Sequence, residues 1–469
     1  MAGMTHIPCA SPVSQGVSAL AVRRFIKALD NTEATMRGFV LVRNNQKVAE
    51  QYWAPYTAHD KNLVYSISKS FTSTAAGLAY DAGLLDLDAK VLSFFPDEAP
   101  AQPDANLAAM RVRDLLAMNS GHESDPTVSV LFADGGDWVK AFLSLPVENA
   151  PGSHFVYNTI GSFMVSAIVQ KLTGKTVVEY LREPLFAPLG FGDVDGDLSP
   201  KGIFTGGWGL FVRVEDLAKL GMVYLNKGLY EGKRILSEEW VELATSVHSD
   251  NATGRENESP DWRQGYGFQF WRCQHNCYRG DGAMGQYCVV MPEQNAVLSL
   301  MSEQHDMQKI LDLVWDILLP GMQSLSAPQE AARDGVRYAI NAKRYDYSGI
   351  TFRFAPESVT VTLEEDDACY SITAGRGEWL EGISTLPLGE RTFIPFFTVG
   401  DMPKKVSAAF EWTDADTLEI TWVHRETPHR DRLVCRFEGE KVSCTCHSSV
   451  VGTKDADEVD FVGSLDAQP

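Results

Sequence analysis

The chain has 469 residues, of which 44% are apolar and 22% charged, so it can hold more than one domain and bury a sizeable core. Its formal net charge of −21 argues against nucleic acid or an anionic membrane surface as a partner, because a basic patch would have to be hidden in an acidic field. No stretch approaches the roughly 18 apolar residues of a membrane span, and residues 1–20 lack the marks of a secretory leader, so the expectation is a cytoplasmic enzyme with no membrane partner.

Val17 to Leu29 reads as a helix with Leu20, Val22, Phe25, Ile26 and Leu29 on one stripe. Phe39–Arg43 and Lys47–Trp53 read as a β-hairpin, because Asn44-Asn45 tolerates the positive φ of a tight turn. A nucleophile-bearing helix follows at Tyr65-Ser66-Ile67-Ser68-Lys69-Ser70, and the start of the chain is therefore a compact α/β unit.

If Ser66 opens that helix, Lys69 lies three residues on, where side chains share a face with Cβ atoms about 5–6 Å apart. A serine hydroxyl is a poor nucleophile until a neighbouring base takes its proton. Lys69 could be that base only when neutral, which asks burial to lower its pKa by about 3 units, or roughly 4 kcal/mol. The helix start also offers the Ser66 amide to an oxyanion. The plainer reading is a serine cap followed by an exposed lysine. The apolar Leu63-Val64-Tyr65 run and the Ala, Gly, Ser and Thr behind Lys69 count against it, since a solvated helix start would carry more charge.

From Gly77 to about Gly174 the pattern is helical and loop-rich, with short helices over Arg113–Met118 and Gly136–Leu145, which makes a helical subdomain beside the sheet. Within it, Tyr157-Asn158-Thr159 precedes a helix carrying Ile160, Phe163, Met164, Ala167, Ile168 and Leu172. A tyrosine at that place can relay a proton if a cation or an amine is near, whereas an arbitrary tyrosine is more often a core aromatic. His122 and His154 read as loop residues without a catalytic task. The Thr205–Leu210 stretch, dense in glycine, marks a tight bend and lacks a nucleotide-binding spacing. Val214–Asn226 and Ser237–Ser246 read as helices, Gly265–Trp271 as a strand, and Cys288–Met291 and Ala296–Met301 as two more. Glycines at 280, 282 and 285 allow a close backbone approach, either a bulge or a strand whose amide faces an acyl group.

Eight cysteines, at 9, 273, 277, 288, 369, 435, 444 and 446, are sparse for this length and suit reduced thiols. Cys273-Gln-His275-Asn-Cys277 and Cys444-Thr-Cys446-His447 both lack the Cys-x-x-Cys spacing of common zinc sites, so both read as packing or loop cysteines with a metal as the minority view, and no cofactor is expected.

Ser66-x-x-Lys69, Tyr157-Asn158-Thr159 and Gly280-Asp281-Gly282-x-x-Gly285 together resemble the serine β-lactamase and penicillin-binding superfamily. The resemblance is to its class C-like branch of β-lactamases, DD-peptidases, family VIII carboxylesterases and 6-aminohexanoate-dimer hydrolase, and it covers roughly residues 10–320. It implies an α/β (α+β) transpeptidase-like domain, an antiparallel sheet flanked by helices plus the helical subdomain at about 80–175. It makes Ser66 the nucleophile, Lys69 its base or proton partner, and Tyr157 the group that protonates the leaving group and later activates water. The oxyanion hole would be the amides of Ser66 and Ala283, with Thr159, Arg279, Asp281 and Gly282 on the substrate side.

Two departures matter. Thr159 stands where the family has Asn, and Gly280 stands where β-lactamases and peptidases use a lysine to receive the substrate carboxylate. Unless Arg279 substitutes for that lysine, penicillins bind poorly, and neutral or cationic esters and amides are favoured. The expected function is a serine hydrolase acting on a small-molecule ester, amide or peptide through an acyl-enzyme. The alternatives are β-lactamase or D-aminopeptidase activity, or a non-turnover peptide or β-lactam binding protein.

After the linker-like Pro320–Gln329, short alternating segments at Thr351–Phe354, Val359–Leu363, Leu418–Trp422 and Leu433–Phe437 indicate an antiparallel β-domain, sandwich or barrel. Turns are expected at Asp414-Ala-Asp416 and Glu438-Gly439-Glu440, and the Glu364–Asp367 run reads as a solvated turn. The domains are accordingly placed at 1–325 and 336–469. The second domain shows nothing catalytic; narrowing the active-site cleft and forming a homo-oligomer contact are the two roles left open for it.

Overall fold

The computed structural model describes residues 6–322, 330–342, 347–365, 368–385, 404–413, 416–426, 430–449 and 460–465. Most of the linker, Asp414-Ala415 of one expected turn and Asp366-Asp367 of the acidic run lie outside the described residues. The chain divides into two compact units, one made of Met1–Ser11 and Ile26–Trp315, the other of Pro12–Phe25 and Asp316–Pro469.

In the first unit the main strands are β1 (Thr35–Arg43), β2 (Gln46–Tyr52), β3 (Trp271–Arg272), β4 (Tyr278–Gly282), β5 (Gln286–Met291) and β6 (Ala296–Glu303). They form an antiparallel sheet in the order β2-β1-β6-β5-β4-β3, so the N-terminal hairpin pairs with the last strand. The hairpin turn is as expected, with φ of 52° at Asn44 and 61° at Asn45.

The principal helices are α1 (Ala19–Asp30), α2 (Ser68–Asp81), α3 (Thr159–Thr173) and α4 (Val214–Leu225). Helix α2 is buried along almost its whole length, which explains its small residues: a Cβ at Gly77 would collide with the Trp240 indole. Helix α3 buries Ile160, Phe163, Met164 and Ile168, each worth about 1.5–3 kcal/mol of transfer free energy, and packs against α2. Helix α4 lies against β5 and β6, closely enough that a Cβ at Gly221 would sit 2.5 Å from Val297. Short helices at Ala105–Ala109, Val112–Leu116, Thr127–Leu131 and Trp138–Leu143 lie between α2 and α3 in the chain.

The expected strand over Gly265–Trp271 is a correction: pairing within the sheet begins at Trp271. Gln269 has a φ of 67°, and the carbonyls of Phe268 and Gln269 are taken by the hydroxyls of Ser73 and Ser70 instead of a neighbouring strand. That irregular segment borders the site.

Among its described residues the second unit is a closed β-barrel of nine strands with a tenth along one edge, which settles the choice between sandwich and barrel. Strands β7 (Arg337–Ala342), β8 (Gly349–Ala355), β9 (Ser358–Glu365), β10 (Ala368–Arg376), β11 (Leu380–Ser384), β12 (Lys404–Trp412), β13 (Thr417–His424), β14 (Arg430–Glu438), β15 (Lys441–Ser448) and β16 (Phe461–Leu465) run β10-β9-β8-β7-β16-β15-β14-β13-β12. Parallel pairing of Gly375 and Arg376 with Ala409 and Phe410 closes the ring, and β11 continues along the same edge of β12. Glu364 and Glu365 belong to β9 and not to a turn, and Glu364 accepts from Arg337 at 2.7 Å. The Glu438–Glu440 turn forms as expected, with Gly439 at a φ of 59°.

Candidate active site

Ser66 does not open α2 itself but sits one turn ahead, in a 3₁₀ turn over Tyr65–Ile67. Tyr65 enters that turn at a φ of 47°, a left-handed conformation that costs a non-glycine residue about 1–3 kcal/mol and persists only where the surroundings enforce it. Immobilising contacts come from the Ser and Thr residues of α2. Ser68 Oγ accepts from the Leu210 amide at 3.1 Å, while Ser70, Thr72 and Ser73 donate to the carbonyls of Gln269, Gly206 and Phe268 at 3.1, 2.8 and 2.7 Å. The three carbonyls lie in irregular chain, so the hydroxyls satisfy buried backbone groups that would otherwise be orphaned.

Lys69 is 1% exposed. Its Nζ lies 2.9 Å from Ser66 Oγ, 2.9 Å from the Gly207 carbonyl and 3.4 Å from Thr159 Oγ1. Burial lowers its pKa to about 7, although Asp281 and Asp125 pull in the opposite direction. The amine is therefore available as a base near neutral pH, which an exposed lysine is not.

Tyr157 reaches the same place from the loop before α3. Asn158 caps that helix by accepting from the Gly161 amide at 2.9 Å, and its Nδ2 donates to Ser120 Oγ at 3.1 Å, which fixes the backbone immediately after Tyr157. The Tyr157 ring stacks on Trp271 with centroids 5.1 Å apart, and Lys69 Nζ stands 4.7 Å from its centroid. Burial pushes the phenol above its usual value, with Asp281 acting the same way; the neighbouring Ser66 side chain and Arg279 act against them. It holds its proton near neutrality and can donate it.

The third motif forms β4 and the turn that follows. A Cβ at Gly282 would run into the Val64 carbonyl, and one at Gly280 would sit 2.7 Å from Ser70 Oγ, so both glycines are required by the approach of the strand to the Ser66 turn. Ala283 lies exposed in the turn to β5, whose shape is held by Met284 and Gly285 at φ of 65° and 79°. Gln286 Nε2 ties this turn down by donating to Ala283 O at 3.1 Å and Ser302 O at 2.6 Å.

Ser66, Lys69, Tyr157 and Thr159 thus converge, with Gly282 against the same turn. Arg279 and Asp281 do not present themselves to a ligand. Residues 279 and 281 share one face of β4, and the two side chains pair: Arg279 Nε lies 3.0 Å from Asp281 Oδ2 in an enclosed pocket where Arg279 has 0% exposure. The expectation that Arg279 could receive a substrate carboxylate is corrected on that ground.

Three residues escaped the sequence reading. Gly207 supplies the carbonyl that holds Lys69, Trp271 stacks on Tyr157, and Asp125 acts on both Lys69 and Tyr157 as a nearby negative charge. Only Gly207 left a trace, in a glycine-rich bend needed because a Cβ there would sit 2.7 Å from the Thr159 carbonyl. Among the described residues no group of His, Cys, Asp and Glu could hold a metal ion.

The first unit has the fold of penicillin-binding and β-lactamase proteins. The octameric penicillin-binding protein homologue from Pyrococcus abyssi superposes with a TM-score of 0.52 at 15% identity, over 94% of this chain and 99% of that one. A family VIII carboxylesterase gives 0.53 at 15% identity, over 66% and 99%. The Beta-lactamase family model matches residues 22–316, and the chain belongs to that family. Among its relatives, the 6-aminohexanoate-dimer hydrolase of Paenarthrobacter ureafaciens is 26% identical over 294 residues, 58% of this chain and 74% of that protein. The family is one of hydrolases, and its relatives include amidases, esterases and peptidases. No helix among the described residues is long and apolar enough to cross a membrane.

Proposed function

We propose that the protein is a serine hydrolase that cleaves an ester or amide bond through an acyl-enzyme on Ser66. Lys69 takes the Ser66 proton during attack on the carbonyl carbon, and the amides of Ser66 and Ala283 receive the oxyanion. Tyr157 passes a proton to the leaving group, and the reverse transfer activates the water that hydrolyses the ester on Ser66. The observation that carries this reading is a fully buried amine with a pKa of about 7, 2.9 Å from the hydroxyl it would deprotonate.

Neighbouring serines offer no rival nucleophile. Ser68 and Ser70 are 0% and 1% exposed and already committed to backbone partners. The substrate class follows from charge: Arg279 is enclosed and paired with Asp281, Gly280 carries no side chain, and Asp125 adds a negative charge to the local field. A neutral or cationic ester or amide suits that field better than a penicillin with its free carboxylate.

The test is steady-state hydrolysis of p-nitrophenyl esters, D-amino-acid amides and nitrocefin by the full chain, Ser66→Ala and Lys69→Ala. Ester or amide turnover lost in both variants supports the reading. A burst without turnover across the panel would favour a non-turnover binder, and preferred hydrolysis of nitrocefin would return the assignment to β-lactamase.

A further inference from the structure

We propose that Trp271, Arg279 and Asp281 are positioning residues that fix the Tyr157 ring beside Lys69 without touching substrate, a proposal that rests on the hydrolase reading above. Their geometry is a continuous stack. Lys69 Nζ lies 4.7 Å from the Tyr157 ring, that ring lies 5.1 Å from Trp271 at an interplanar angle of 24°, and the Arg279 guanidinium lies 5.6 Å from Trp271 and 4.4 Å from Trp262. Such cation–aromatic contacts are strongest where water is excluded, as around Arg279.

The far end of the stack cannot drift. Arg279 Nη1 donates to the Asp261 carbonyl at 2.8 Å and lies 3.1 Å from Cys273 Sγ, while Asp281 holds Nε. Asp261 is itself buried, and its carboxylate accepts from Gln308 Nε2 at 2.7 Å, Trp315 Nε1 at 2.9 Å and the Gln274 amide at 2.9 Å. A buried hydrogen-bonded network of this kind restricts the geometry, and it is anchored on residues far from the Ser66 turn in sequence.

The experiment compares kcat and KM for the full-length wild type, Asp281→Asn, Trp271→Phe and Trp271→Ala on one neutral p-nitrophenyl ester, with thermal melts of each. Trp271→Ala should lower kcat on the order of 10²-fold with KM little changed, because the proton donor is displaced, and Trp271→Phe should restore most of the loss. Asp281→Asn, which removes the carboxylate that holds Arg279, should lower kcat in the same way. Wild-type kcat in folded Trp271→Ala or Asp281→Asn overturns the proposal, as does an effect confined to KM. If Trp271→Ala does not fold, Asp281→Asn decides alone. A wild type without turnover removes the hydrolase reading itself, whereas wild-type turnover with unchanged kcat in the variants removes only the positioning role.

Discussion

The carbonyl of Gly207 accepts a hydrogen bond from Lys69 Nζ at 2.9 Å, the distance at which the same nitrogen meets Ser66 Oγ. A neutral amine has two N–H bonds and one lone pair. With Gly207 O taking one N–H and Thr159 Oγ1, at 3.4 Å, facing the other, the lone pair is left for the Ser66 hydroxyl. Backbone geometry at a glycine bend thereby orients the amine.

The acid limb of kcat/KM should have its midpoint near pH 7, because Lys69 must lose its proton to act and its pKa is about 7. Activity rises with pH through that value. Lys69→Arg should be inactive across the range, since a guanidinium stays protonated. A midpoint below pH 5 would assign the base to a carboxylate instead.

Holding Lys69 in the interior costs stability, with a definite sign. The folded pKa of about 7 lies below the unfolded 10.5, so the cost is fully present below pH 7, shrinks as pH rises from there, and vanishes above 10.5. At its largest it is roughly 4–5 kcal/mol. Lys69→Met should therefore be more stable than the wild type at pH 6 by about 1–3 kcal/mol, part of the gain being offset by lost hydrogen bonds. Denaturant melts at pH 6 and pH 9 check this: the difference must be smaller at pH 9.

Tyr157→Phe removes the hydroxyl and keeps the ring that stacks on Trp271. The fold should be retained while kcat falls by about 10²–10⁴-fold, the usual range for a lost proton-transfer group. Near-UV circular dichroism with steady-state kinetics separates this from a loss of structure; unchanged kcat would leave Tyr157 as a packing residue.

Gly282→Ala places a methyl against the Val64 carbonyl, which is backbone and cannot rotate aside. The strand must shift from the Ser66 turn, at a cost of about 1–3 kcal/mol, and the Ala283 turn moves with it. A lowered melting temperature together with a lower kcat is the expected result. Wild-type values for both would mean that the strand approaches the turn less closely than the structure describes.

Much of this was legible in sequence, for physical reasons. The Ser66–Lys69 spacing brings hydroxyl and amine together across one helical turn whatever packs behind them, and the Asn44-Asn45 hairpin is fixed by local backbone preference. Alternation over Val359–Leu363 and Leu433–Phe437 marked strands but could not report closure, which depends on residues 375–376 meeting 409–410 across a long separation. The Gly265–Trp271 error has the same origin: aromatic alternation resembled a strand, and only tertiary contact with the α2 hydroxyls shows why Phe268 and Gln269 lack strand partners. The burial of Arg279 also has a signal in the sequence. Two residues apart on a strand, Arg279 and Asp281 were bound to share a face, and opposite charges buried on one face neutralise each other.

Reaction of the full-length protein with a fluorophosphonate, followed by intact mass and peptide mapping, tests the central claim most directly. One adduct on the Ser66 peptide in the wild type, none in Ser66→Ala and markedly slower formation in Lys69→Ala is the outcome this account requires. An adduct of equal yield in Ser66→Ala, or no adduct in folded wild type, would contradict it.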